Sequence, residues 1–116
     1  MLRIYNAIIY LYVLLIRIHS LINKKSRQWI NGRRNLFTNL ITNLSNEKDI
    51  IWFHCASLGE YEQVKELIIR YREAYIKDKI LITFFSPSGY ENIKKDTMID
   101  WVFYMPIDTR INARRF

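Results

Sequence analysis

Three short, almost unbroken apolar runs constrain the fold more than any other feature of this chain. They span residues 50–55, 79–85 and 101–105, and none of them alternates cleanly between apolar and polar side chains. Strands buried on both faces of a parallel sheet have this continuous pattern, and the runs are rich in β-branched and aromatic residues. The sequence therefore predicts three strands of one parallel sheet.

Helix-start signals follow each run at once. Ser57 lies three residues before Glu60, a proline follows Ser86, and an Asp-Thr pair stands at 108–109; all three are typical of helix N-termini. Residues 64–75 carry apolar side chains at steps of three and four, which indicates an amphipathic helix. The predicted order is β-α-β-α-β, an α/β fold with a partial Rossmann-like sheet.

An apolar segment begins the chain. Residues 4–16 are broken only by Asn6, and the pattern continues to Ile22. A helix that crosses a bilayer needs roughly 20 apolar residues, and shorter runs also lie in the interface. Residues 1–22 are therefore predicted to be an uncleaved membrane-anchor helix, either tilted across the bilayer or lying in one face of it. The alternative is a buried core helix of a larger domain.

The positive charge is confined to the first part of the chain. Residues 1–44 contain seven Lys or Arg and no Asp or Glu, whereas residues 45–116 contain eleven of each sign, so the net charge of +7 belongs to the N-terminal part. Nucleic-acid binders more often carry their cations on the domain that reads the polymer. Here the cations lie beside an apolar helix, which favours anionic lipid as a partner and places the segment 24–34 on the cytoplasmic side.

These patterns divide the chain into three regions. Residues 1–22 are the anchor helix, residues 23–49 are a basic collar with a short helix and a linker, and residues 50–116 carry the predicted sheet. A sheet of three parallel strands with a very short last helix is smaller than the doubly wound domains of its class. We therefore expect the chain to be a fragment of a larger protein.

Candidate site residues lie in the first strand-to-helix loop, since ligands gather at the carboxyl ends of strands in open α/β sheets. Glu60 stands at a helix start beside Gly59, where a sugar could approach the backbone, and its carboxylate is a candidate general base. The alternative is that Ser57 and Glu60 form an S-x-x-E capping box with no catalytic role. His54, at the strand end, is interpreted as a hydrogen-bonded core residue.

The other two loops carry binding candidates. Ser86, Ser88 and Gly89 offer hydroxyl and backbone N–H groups at a helix N-terminus, which suit a carboxylate or a phosphate but also fit a plain helix start. Arg114 and Arg115 suit a phosphate or a solvated surface equally well. No glycine-rich dinucleotide or P-loop motif is present, and the two histidines and one cysteine lack metal-site spacing, so neither a cofactor nor a metal is expected.

Three blocks of sequence resemble one known family. They read I-W-F-H-C-A-S-L-G-E at 51–60, I-L-I-T-F-F-S-P-S-G-Y at 80–90 and V-F-Y-M-P-I-D-T-R-I-N-A-R-R-F at 102–116. In order and spacing they are similar to the 3-deoxy-D-manno-octulosonic acid (Kdo) transferases, and the apolar and basic N-terminus is similar to the membrane-proximal region of that family. Cys55 departs from the pattern, where a small alanine-like residue is expected.

The resemblance implies a GT-B glycosyltransferase of two Rossmann-like domains that works without metal. Such an enzyme moves Kdo from CMP-Kdo to a lipid A precursor, lipid IVA, with inversion, at the cytoplasmic face of the bacterial inner membrane. Its N-terminal domain receives the lipid acceptor and supplies the base, which falls here on Glu60. The C-terminal domain that binds CMP-Kdo is not in this chain, so the chain alone is expected to be inactive. Two rivals stay open, namely a membrane-tethered flavodoxin-like binding module without catalysis and another lipid-linked GT-B glycosyltransferase.

Overall fold

A computed structural model describes residues 1–116 and contains one sheet and six helices. The strands are β1 (Ile50–Cys55), β2 (Lys79–Phe84) and β3 (Trp101–Tyr104). The helices are α1 (Leu2–His19), α2 (Lys24–Asn31), α3 (Leu36–Leu44), α4 (Leu58–Ala74), α5 (Pro87–Ile93) and α6 (Arg110–Arg115).

The three strands form one parallel sheet in the order β1-β2-β3. The register pairs Ile50 with Lys79 and Leu81 with Trp101, so all three carboxyl ends meet at the same edge. The central strand β2 is buried from Ile80 to Phe84. This burial explains the almost unbroken apolar run, and the predicted α/β class and parallel sheet are confirmed.

The main core lies between one face of the sheet and helices α4 and α5. Gly89 of α5 sits against the ring of Phe84, where an added Cβ would lie 2.0 Å from Phe84 Cδ1. Because that distance is far inside van der Waals contact, α5 can reach the sheet only with glycine at this position. Eight buried residues form this core: Cys55, Tyr61, Ile68, Ile80, Ile82, Phe84, Ile93 and Ile99.

The opposite face of the sheet is covered by α3 and the end of the chain. Trp52 packs on Phe116 with 5.0 Å between ring centroids, and Leu40 of α3 is buried. A cavity of about 310 Å³ lies between α3, Trp52 and Phe116. Both faces of β2 are therefore shielded from solvent.

Helix α1 leaves most of its apolar surface exposed. It has 18 residues with a mean hydropathy of 1.3, and Val13 is its one buried residue. By length and composition it is the one helix here able to cross a membrane. Three side-chain contacts hold it to the rest of the fold. Tyr12 packs edge-on against Trp29, the Tyr5 hydroxyl donates to Asp108, and His19 Nδ1 lies 2.8 Å from Ser26 Oγ of α2.

The basic collar is helical and is docked on the sheet edge through Arg33. The Arg33 guanidinium donates to the carbonyl oxygens of Trp29 (3.0 Å), Phe85 (2.9 Å) and Met105 (3.0 Å). Burial lowers the pKa of Arg33 to about 10. The sequence favours anionic lipid as the partner of the N-terminal cations, but the charge of Arg33 points into the protein.

A glycine next to Arg33 completes this docking. A Cβ on Gly32 would lie 1.9 Å from Cε2 of Tyr104, so the α2 end rests directly on that ring. The Arg33 guanidinium also lies over the rings of Trp29 (3.9 Å) and Tyr104 (4.8 Å), which adds cation–π attraction. The collar is thus joined to the carboxyl ends of β2 and β3.

Candidate functional site

The candidate site lies where the three strands end and two loops touch. The backbone N–H of Ser86 donates to the carbonyl of Ala56 at 2.9 Å, which joins the β1–α4 loop to the β2–α5 loop. The N–H of Met105 donates to the carbonyl of Phe84 at 2.8 Å, which holds the loop after β3 beside them. The predicted loop residues are therefore assembled at one edge, as expected for an open parallel sheet.

Glu60 occupies the first turn of α4 with an exposed carboxylate. Its Oε2 accepts a hydrogen bond of 2.6 Å from the backbone N–H of Ala56, and the helix N-terminus favours its negative charge. Oε1 has no hydrogen-bond partner within the chain. One oxygen is thus fixed while the other is free to accept a proton.

The capping-box interpretation of Ser57 and Glu60 is wrong. Ser57 is the N-cap residue with extended backbone angles, but its side chain makes no capping hydrogen bond. Glu60 bonds the N–H of Ala56, one residue earlier than a capping box requires. The reciprocal pair of hydrogen bonds that defines a capping box is therefore not formed.

Gly59 differs from the other two glycines because packing does not require it. A Cβ added there would meet just one atom, Ser57 Oγ, at an ordinary 3.7 Å. The residue is exposed on the first turn of α4, beside Glu60. Packing therefore gives no reason for a glycine at this position, and its role in substrate binding stays a prediction.

The second loop brings two serine hydroxyls together. Ser86 Oγ and Ser88 Oγ are 2.8 Å apart, and neither caps α5. Both side chains are half-buried, so they are accessible at the sheet edge. Gly89 is buried against Phe84 and is explained by packing alone. Substrate binding by these three residues stays a prediction.

Neither arginine of α6 makes a hydrogen bond to these serines. The Arg115 guanidinium lies 3.9 Å from the ring centroid of Phe37 and lines the cavity next to α3. Arg114 is exposed in the last helical turn, where a cation is favourable at the negative end of the helix dipole. The structure does not bring either arginine to Glu60 or the serines, and their contact with phosphate stays a prediction.

Cys55 sits beneath the site as a neutral thiol. The residue is 1% exposed. Burial, followed by the negative charge of Glu60, raises the pKa of its thiol. Because the thiolate is the reactive form, Cys55 is suited to packing and not to nucleophilic catalysis. No group of three or more His, Cys, Asp or Glu side chains is arranged to hold a metal ion.

Sequence reasoning missed His54. The interpretation as a core residue is wrong, because the side chain is exposed and lines a cavity of about 430 Å³ at the carboxyl edge. Its Nδ1 lies 2.9 Å from Thr83 Oγ1, its register partner on β2. The available signal was the spacing of Trp52 and His54, which are two residues apart on β1 and so lie on the same face, opposite to that of Phe53 and Cys55. The cavity is lined by His54, Phe85, Met105, Pro106, Ile107, Asp108, Asn112, Ala113 and Phe116.

Comparisons with known proteins agree with the three sequence blocks. A family model described as 3-deoxy-D-manno-octulosonic-acid transferase (Kdo transferase) matches residues 27–116. The 3-deoxy-D-manno-octulosonic acid transferase of Aquifex aeolicus is 32% identical over 74 residues, which cover 63% of this chain and 20% of that protein. A bifunctional glycosyltransferase/methyltransferase of Fusobacterium nucleatum is 33% identical over 91 residues, covering 75% of this chain and 13% of that protein.

The matches cover most of this chain but only a small part of each relative. The chain spans 20% or less of the length of both curated relatives, and no solved structure matches it significantly. The family match begins within α2 and includes α3 to α6 and all three strands, with Glu60 and the serine loop inside it. The chain therefore belongs to the 3-deoxy-D-manno-octulosonic-acid transferase family.

Proposed function

We propose that this chain is the N-terminal, acceptor-side part of a GT-B glycosyltransferase that moves Kdo from CMP-Kdo to a lipid A precursor. The observation that carries the proposal is the Glu60 carboxylate, held at one oxygen by the N–H of Ala56 and free at the other. A base in this position suits a transfer in which a sugar hydroxyl is the nucleophile. Membership of the Kdo transferase family supports the choice of Kdo as the sugar moved.

The proposed reaction step is an in-line displacement at the anomeric carbon of Kdo. The acceptor hydroxyl oxygen forms the new bond to that carbon while the bond to the CMP phosphate oxygen breaks, and the configuration inverts. The hydroxyl proton passes to Glu60 Oε1, and CMP leaves with the bonding electron pair. The Ala56 hydrogen bond keeps the carboxylate from rotating away, so little reorganisation is needed when the proton moves.

The neighbouring residues have proposed binding roles in this step. Gly59 lets the acceptor sugar approach the α4 backbone, and Ser86 and Ser88 line the sugar cleft beside it. Arg114 and Arg115 are proposed to meet the acceptor phosphates. CMP-Kdo is proposed to bind to a second Rossmann-like domain, and no step assigned to this chain needs a metal.

The position of α1 supports a lipid-borne acceptor. Tyr5 of α1 bonds Asp108 in the loop after β3, and a cavity of about 480 Å³ lies between α1 and α6. An apolar helix held in the cytoplasmic leaflet of the inner membrane would therefore lie next to the strand ends. The acceptor headgroup would reach Glu60 without leaving the membrane surface.

A donor panel tests the proposed function. The complete gene product is incubated with a lipid A precursor and, in separate reactions, with radiolabelled CMP-Kdo, CMP-sialic acid or UDP-N-acetylglucosamine. We expect label in the lipid only from CMP-Kdo. Transfer from another donor would replace Kdo transfer with a different glycosyltransferase activity, and no transfer from any donor would favour a binding module.

A further inference from the structure

A threonine hydroxyl links two side chains on the sheet face that is remote from α4. Thr83 is fully buried on β2. Its Oγ1 lies 2.9 Å from Trp52 Nε1 and 2.9 Å from His54 Nδ1, both on β1. The register places His54 directly opposite Thr83, so the backbone of the sheet fixes this arrangement.

The hydrogens of these three groups can be assigned by elimination. The Trp52 indole N–H can only donate, so Thr83 Oγ1 accepts from it. A buried hydroxyl must place its own hydrogen on an acceptor, and His54 Nδ1 is the acceptor within reach of Thr83. His54 Nδ1 therefore accepts, and the ring hydrogen lies on Nε2.

We propose that the Nε2–H of His54 is a hydrogen-bond donor to an oxygen of the acceptor sugar in the 430 Å³ cavity. The rings of Phe85 and Phe116 line the same cavity and offer apolar faces to a pyranose, and the Asp108 carboxylate offers an acceptor for its hydroxyls. The identity of the ligand as a sugar rests on the proposed glycosyltransferase function. Thr83 and Trp52 act as positioning residues that fix the tautomer of His54.

The first test is the tautomer itself. Long-range ¹H–¹⁵N NMR spectra of the full chain in detergent micelles should show an unprotonated Nδ1 and a protonated Nε2 for His54. The isosteric change Thr83→Val should abolish this preference, whereas Thr83→Ser should keep it. A wild-type His54 that carries its hydrogen on Nδ1 would overturn the inference.

The second test is sugar binding, with N-acetylglucosamine as the probe. Titration should shift the His54 ring signals, and His54→Ala should weaken binding about fivefold, as expected for one hydrogen bond. His54→Gln keeps an N–H donor near the Nε2 position and should bind within about twofold of wild type. Equal binding by His54→Ala and wild type would overturn the inference.

Kdo transfer by the complete gene product separates this inference from the proposed function. If His54→Ala transfers Kdo at the wild-type rate and KM while Glu60→Gln does not, the His54 assignment fails and the proposed function stands. If His54→Ala raises the acceptor KM and His54→Gln restores it, both stand. If the wild type transfers no Kdo but the probe still binds through His54, the proposed function fails and the sugar site stands.

Discussion

Glu60 Oε2 accepts a hydrogen bond of 2.6 Å from the backbone N–H of Ala56. This bond joins the end of β1 to the first turn of α4, so the carboxylate is held by the same loop that meets Ser86 across the sheet edge. The hydrogen bond to one oxygen fixes the orientation of the carboxylate, and the other oxygen can still accept a proton.

Gly59→Ala separates packing from ligand approach. The added Cβ meets only Ser57 Oγ at 3.7 Å, so we expect no clash and a gain of up to about 1 kcal/mol in the free energy of unfolding. If a sugar approaches the backbone here, turnover of the complete enzyme should nevertheless fall at least about tenfold, because a misplaced substrate loses rate steeply. Thermal unfolding and Kdo transfer measure the two effects. Unchanged turnover would show that no ligand approaches Gly59.

Arg33→Met should loosen the N-terminal helices from the sheet. The change removes three hydrogen bonds to backbone carbonyls and leaves those of Phe85 and Met105 without this donor. We expect the free energy of unfolding to fall by about 2–4 kcal/mol and trypsin to cleave faster in the segment 24–34. The exposed neighbour provides the control, since Arg34→Met should change neither quantity. Equal stability of the two variants would contradict the docking of α2 on the sheet edge through Arg33.

The exposed collar cations should bind anionic vesicles. Replacing four of them with Gln should weaken binding to phosphatidylglycerol vesicles by about 1 kcal/mol per charge, and added salt should reduce the difference. The residues are Lys24, Lys25, Arg27 and Arg34. Co-sedimentation measures the loss.

A matched control has the same change in charge elsewhere. Four exposed lysines outside the segment 24–34 are replaced with Gln, and they should have little effect because they lie far from the apolar helix in the sequence. These residues are Lys48, Lys65, Lys77 and Lys95. Equal losses of binding in the two variants would show that net charge alone determines vesicle binding. That result would contradict a specific role for the cations in the segment 24–34.

Asp100 should make the fold sensitive to acid. Burial acts to raise its pKa, but the N–H of Ile80 and the Arg72 guanidinium, 2.8 and 2.7 Å away, outweigh burial and hold the pKa below its ordinary 3.8. A lowered folded pKa contributes stability that is present above 3.8 and is lost as the pH falls through the folded value. Urea unfolding at about pH 6 and about pH 3 should therefore show a smaller acid loss for Asp100→Asn than for wild type. Equal acid losses would contradict this role.

The sheet could be predicted from the sequence because its signals are local. The run at 79–85 is apolar except for Lys79 and Thr83, because β2 is buried on both faces from Ile80 to Phe84, and that pattern needs no knowledge of its neighbours. The stripe at 64–75 likewise predicts α4. The observed strand order β1-β2-β3 agrees with the tendency of consecutive strands to lie side by side.

The docking of α2 and the exposure of His54 could not be predicted because they depend on distant partners. Arg33 is buried through carbonyls at Phe85 and Met105, more than fifty residues away, so its sequence neighbours made it look like one more collar cation. His54 is exposed because its strand face ends at a cavity formed by the loop after β3. The capping box failed for a geometric reason, since the Glu60 side chain reaches the N–H of Ala56 instead of Ser57.

The most direct test of the account is the turnover of the complete enzyme carrying Glu60→Gln. The amide oxygen of Gln can still accept from the Ala56 N–H, so the free energy of unfolding should change by less than about 1 kcal/mol and acceptor binding should hold. The amide cannot accept the hydroxyl proton, so Kdo transfer from CMP-Kdo should fall by about 10² to 10⁴. Turnover within about threefold of wild type, with stability unchanged, would contradict Glu60 as the base.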